Sequence, residues 1–198
     1  MAESGGASRG QPKPAPVEPA LLTISRHEML VDGLDVEFRT LIHQILSFTR
    51  CIAAVREGFG AIVGVSGVQY EIMMWVSRLE GTDGVTVGDI SHAMRQSSAF
   101  TTIEAGKLVE KGLLEKSVDL KDKRRVRLRC TAKWRQALAT LAPYQQRIND
   151  TIFASLSSQD FRELSRIMRG LVVDADRAAH LMEFIVRQER GPGTRLGL

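Results

Sequence analysis

Residues 125–130 read Arg-Val-Arg-Leu-Arg-Cys. Strict alternation of that kind has one regular solution, a strand with its apolar side chains on one face and its guanidinium groups on the other. The stretch closes a longer series. Val85-Thr-Val87 has strand composition, Gly88–Met94 is a short helical stretch, and Arg95-Gln-Ser97 forms a turn. Ser98–Lys111 is a second helix, with Ile103, Leu108 and Val109 expected on its core face, and Gly112 stands where a left-handed residue ends a helix. Leu113–Val118 then runs out to a hairpin tip at Asp119–Arg124. Strand, helix, turn, helix and basic hairpin in that order predict a winged helix-turn-helix: one helix enters a DNA groove while the hairpin straddles the backbone beside it.

Charge supports this assignment. Lys116–Arg135 holds nine Lys and Arg against Asp119 and Asp122, a balance of +7 within a chain whose formal net charge is +4, so all other residues sum to −3. Positive charge is concentrated where a DNA-contacting wing would lie. The chain has 198 residues and 43% hydrophobic content, enough for one well-buried domain with helical extensions. Two cysteines, Cys51 and Cys130, make no disulfide framework and have no metal-ligand spacing, which fits a reducing cytoplasm. No apolar run approaches a membrane span, and Met1–Pro19 lacks the pattern of a secretion signal.

Around the central segment the expected class is mainly α with a small β-hairpin wing. Residues 1–20, rich in Gly, Pro, Ser and Ala, are expected to be a disordered tail. Residues 21–65 hold the N-terminal helices. Leu21–Val31 is a short helix or arm, and Leu34–Glu57 is a helix with Leu34, Phe38, Leu41, Ile42, Ile45, Ile52 and Val55 as its stripe, broken by Gly58-Phe-Gly60. Residues 66–131 form the DNA-binding domain, opening with a helix Val68–Leu79 capped by Ser66 or Ser66-Gly67. Residues 132–190 form a C-terminal helical region. One helix there runs from Thr131 to about Ala154 and contains Pro143; another starts at a capping box, Ser157–Asp160, and carries a stripe from Phe161 to Ile185. Residues 191–198 are a tail.

With these positions placed, the chain resembles the MarR family of bacterial transcription regulators over about residues 34–187. The specific part is Thr102, then Glu110-Lys-Gly-Leu113, Asp119, Asp122-Lys-Arg124 and Thr131. Two positions depart from the family pattern: Cys130 stands where Leu is usual, and Trp134 where Gly is usual. The resemblance implies a homodimer built from the first and last helices, with a ligand cleft between that region and the DNA-binding lobes. It also implies a regulator, most often a repressor, released by a small effector.

Candidate DNA contacts are Ser97, Ser98, Thr101, Thr102 and Lys107 on the second helix, with the helix N-terminal amides favouring phosphate. On the wing, Arg124 matches the family's wing arginine and Asp122 orients it or locks the hairpin, while Lys121, Lys123, Arg125 and Arg127 meet phosphates. Ser98–Lys111 contains no Gln or Asn, so direct base reading is expected to be sparse and shape more important. Arg39, His43 and Arg50 fall within about 40° of one another on the first helix. With Trp75 as an apolar wall they form a candidate site for an aromatic carboxylate or its thioester, weighed against a plain solvated basic edge.

Competing functions are a winged helix used for protein interaction and a cysteine-based redox sensor, although both cysteines look like apolar filler. An enzyme is not indicated. There is no phosphate-binding glycine loop, paired metal ligands or nucleophile signature, no cofactor is implied, the four histidines are scattered, and Glu71 and Glu104 have no obvious partner.

Overall fold

The computed structural model describes residues 21–119, 122 and 125–189. It divides into two compact units, one ending at Leu141 and one beginning at Ala142. The first unit contains helices α1 (Val36–Ile62), α2 (Gly67–Leu79), α3 (Val87–Met94) and α4 (Ser98–Glu110). It also contains strands β1 (Val85–Thr86), β2 (Leu114–Val118) and β3 (Val126–Cys130). Helix α5 (Ala132–Ile152) begins in this unit, and the boundary falls inside it, two residues before Pro143. Helix α6 (Ser158–Glu189) belongs to the second unit.

The three strands form an antiparallel sheet in the order β1-β3-β2, with Val85 opposite Leu128 and Leu114 opposite Cys130. The expected alternation holds at the base of the hairpin, where Leu128 and Cys130 are buried. Towards the tip Val126 lifts into solvent. Gly112 ends α4 with φ +69°, as its position in the sequence predicts.

The core joins Ile72, Met73 and Val76 of α2 to Ile90, Leu108, Leu114 and Leu128, closed over by Trp134 and Leu141 of α5. Phe59, Tyr70 and Trp134 form a chain of tilted rings with centroids 5.8 and 6.3 Å apart. Both departures from the family pattern meet at one hydroxyl. Trp134 Nε1 donates to Ser77 Oγ at 3.0 Å, and the Cys130 thiol lies 3.2 Å from the same oxygen. The indole that occupies the usual glycine position is thus fully buried with its polar atom satisfied.

Helix α1 differs from expectation. It does not break at Gly58-Phe-Gly60 but continues to Ile62, because neither glycine departs from helical φ. Gly60 serves packing instead: a Cβ there would lie 2.7 Å from the Val65 carbonyl oxygen. The elbow beyond it is held by Glu57, whose Oε2 accepts from Gly67 N at 2.7 Å, and by the expected cap, Ser66 with Gln69.

Residues 21–35 form an arm tied to α1. Asp35 Oδ2 accepts from Thr23 N and Oγ1, both at 2.7 Å, and from Arg39 Nε at 3.0 Å, while Arg39 also donates to the Leu21 carbonyl. The Thr23 amide and hydroxyl, then Arg39, hold the Asp35 carboxyl down at about 2.

In the second unit, Ser157 and Asp160 cap α6 reciprocally as expected. None of the 32 residues of α6 is buried, so its stripe, including Phe161, Leu164, Ile167, Met168 and Leu171, faces outward. Leu41, Ile42, Ile45 and Leu46 of α1 are exposed as well.

Candidate nucleic-acid interface

Two caps and one left-handed residue build the helix-turn-helix. Thr86 and Asp89 cap α3 reciprocally. Arg95 then takes φ 53°, and Gln96 N returns to the Ser91 carbonyl at 3.0 Å. Ser97 caps α4 by accepting from Phe100 N at 3.2 Å, and a serine that accepts in a cap still has its own proton to donate. Ile90 and Leu108, both fully buried, lock α3 to α4.

The expected contacts on α4 separate into three groups. Ser97, Ser98 and Thr102 are exposed at or near its N-terminal end, with the Thr102 hydroxyl donating to the Ser98 carbonyl at 2.7 Å. Thr101 is fully buried and its hydroxyl donates to the Ser97 carbonyl at 3.1 Å, so it is a core residue and not a contact. Lys107 is accessible but paired with Glu104 at 2.6 Å. Glu104 in turn accepts from Gln69 Nε2 at 2.9 Å, and the bond from Lys107, then the one from Gln69, lowers its carboxyl. This supplies Glu104 with partners that the sequence does not suggest, and ties α4 to the start of α2. The core face is corrected too: Thr101, Ala105 and Leu108 are buried, whereas Ile103 is 59% exposed.

On the wing, Lys121, Lys123 and Arg124 lie outside the described residues. Arg125 is exposed and 3.4 Å from Asp122, an exposed i,i+3 pair of little energetic consequence. Arg127 has a different role from the expected phosphate contact. Its Nε meets the buried carboxylate of Asp119, and its Nη1 donates to the Gly84 carbonyl at 2.8 Å. Asp119 also accepts from Asp122 N at 3.1 Å. Arg127 therefore fastens the hairpin to the turn before β1. Lys133 donates to the Lys111 carbonyl, and Arg135 pairs with Glu80 at 3.0 Å. The +7 of the sequence overstates what is free to meet a polyanion. The exposed cations that remain include Lys116 and Arg125, which flank a cleft of ≈ 550 Å³ between α4, the start of α3 and the wing.

The candidate ligand site is only partly assembled. Arg39 is occupied by Asp35 and the Leu21 carbonyl, so it braces the arm. His43 and Arg50 are exposed on α1. Trp75 packs half-buried against the core with the Arg78 guanidinium 5.8 Å from its ring centroid. Burial pushes the Cys130 thiol up to about 11, away from the reactive thiolate form; Cys51 is exposed. Among the described residues, no group of three His, Cys, Asp or Glu could hold a metal ion, and no single helix is long and apolar enough to cross a membrane.

Comparison with known proteins agrees with this geometry. The MarR family model matches residues 63–125. A MarR transcriptional regulator from Methanosarcina mazei Go1 superposes with a TM-score of 0.61 at 17% identity, covering 71% of this chain and 99% of that one. A MarR protein from Peptoclostridium difficile DA00132 gives 0.61 at 16%, covering 76% and 94%. The M. tuberculosis transcriptional regulator MosR, in complex with DNA, gives 0.54 at 18%, covering 69% and 96%. No curated protein matches by sequence. The winged helix-turn-helix of residues 63–125 is of the MarR family, and the chain around it folds as solved MarR regulators do.

Proposed function

We propose that this chain is a DNA-binding transcriptional regulator that acts as a homodimer on a pseudopalindromic operator, most simply as a repressor. The observation that carries the reading is the shared exposure of the α4 N-terminal end, with Ser97, Ser98 and Thr102, and of Lys116 and Arg125 beside it. MosR, which has this fold, is bound to DNA in its own structure. The dimer is supported by the outward apolar stripe of α6, which buries no residue within its own chain, and by exposed Leu41, Ile42, Ile45 and Leu46 of α1, since such stripes need another surface against which to bury. Two-fold symmetry then sets half-sites about 10 base pairs apart, or a multiple of that.

Effector control is part of the proposal, with an aromatic carboxylate meeting His43 and Arg50 without Arg39. Ligand releases DNA only if it binds the DNA-incompetent state better. The test is anisotropy binding to the duplex upstream of the protein's own coding region against an unrelated duplex. Specific, salt-sensitive binding supports the reading. Binding to neither duplex by a folded dimer would favour a protein-interaction module instead.

A further inference from the structure

Helix α4 presents an unusual face to a DNA groove. Its buried side is Thr101, Ala105 and Leu108. At 3.6 residues per turn the side opposite holds Ala99 and Ile103, with Glu110 at its C-terminal end, Gly106 and Lys107 to either side of Ile103, and Phe100 and Thr102 at its margins. Ala99 is exposed, Ile103 is 59% exposed and Phe100 37%. Ser98–Glu110 contains no Arg, Asn or Gln, and its one lysine, Lys107, is paired with Glu104, so the helix offers no unpaired side chain for the bidentate contacts that identify guanine or adenine. The Thr102 hydroxyl is turned back onto the Ser98 carbonyl.

In the major groove of B-DNA the apolar feature on a base edge is the thymine C5-methyl group. We propose that α4 determines sequence by packing Ile103, with Phe100 beside it, against thymine methyls. This specificity rests on the DNA-binding reading above and extends it.

Gly106 gives an independent argument. Glycine weakens a helix interior relative to alanine, and nothing in the chain requires one here: its φ is not left-handed, and an added Cβ would have no neighbour within 4 Å. A glycine one turn beyond Ile103 on the same face allows the helix backbone to approach a base edge closely. The flanking charges match that occupant and not an apolar protein surface, since Lys107 stands at the edge of the face and Lys116 and Arg125 line the cleft beside it.

The test begins with the full chain selecting its best duplex from a randomised pool. That duplex is then remade with deoxyuridine replacing thymidine at one position at a time. Base pairing is kept and only a methyl group is lost. Wild type should weaken about fourfold for each buried methyl, the effect of removing about one CH₂ group from a contact. Ile103→Ala should bind thymine and uracil duplexes equally. Gly106→Ala should weaken both without lowering thermal stability. Sequence-specific binding that ignores every uracil would overturn the proposal in favour of reading by shape, and would leave DNA binding itself intact. Failure to select any duplex would remove both.

Discussion

Replacing Arg127 with alanine separates a wing that is fastened from inside from one that is merely basic. Arg127 is the strand residue most simply assigned to phosphate, yet its guanidinium bridges the Asp119 carboxylate and the Gly84 carbonyl. The side chain of Asp119 is 5% exposed and that of Arg127 27%. Removing one partner of a fully buried pair costs about 3–5 kcal/mol, because the other charge is left uncompensated. Solvent reaches part of Arg127, which brings the expected loss to about 2–3 kcal/mol. Arg127→Lys keeps the charge but cannot span both acceptors, so it should lose about 1 kcal/mol.

The assay is urea unfolding followed by tryptophan fluorescence, with Trp134 in the core as reporter. Every variant is measured at one protein concentration, since the stability of the proposed dimer would depend on it. An Asp119→Asn cycle with Arg127→Ala should return a coupling above about 1 kcal/mol. The reasoning is refuted if Arg127→Ala loses less than about 0.5 kcal/mol while the salt slope of DNA binding falls by about one. Arg127 would then be a phosphate contact after all.

Thr101→Val removes a hydroxyl that bonds within α4. It should cost about 1 kcal/mol of stability and leave the salt slope of DNA binding unchanged, whereas a contact residue would show the reverse. Asp35 has a folded-state value of about 2, below its ordinary one, so its stabilising effect is present above about pH 4 and lost as pH falls towards 2. The melting temperature of Asp35→Asn should therefore lie below wild type at neutral pH and converge with it near pH 2; a constant gap would contradict this. An alkylating reagent should label exposed Cys51 and spare Cys130 until the chain unfolds, as mass mapping would report.

What the sequence reveals here is mostly local. Four helix caps, at Ser66, Thr86, Ser97 and Ser157, bond to groups three residues away, so a short window is enough to place helix starts. The β3 alternation sets the hairpin in the same way. The phase of α4 is only partly legible, because its buried face includes a threonine and an alanine while the large apolar residue Ile103 points outward. Periodicity in large apolar residues therefore finds Leu108 and Val109, which do pack inward, but wrongly adds Ile103. Arg39 and Arg127 read as free cations because their carboxylates are recognisable only once the chain is folded. Asp119 lies eight residues away across a hairpin, and Asp35 is held by an arm that begins before Thr23. The indole at position 134 is understandable only with Ser77, 57 residues earlier.

The central claim, that α4 and the wing together form a DNA-binding face, is tested most directly by the salt dependence of binding. The logarithm of the binding constant should fall linearly with the logarithm of salt concentration. In the variant Lys123→Ala/Arg124→Ala/Arg125→Ala the slope should drop by about 0.9 for each phosphate contact removed, with unfolding unchanged. An identical slope in wild type and variant would place the DNA elsewhere on the molecule and contradict the account.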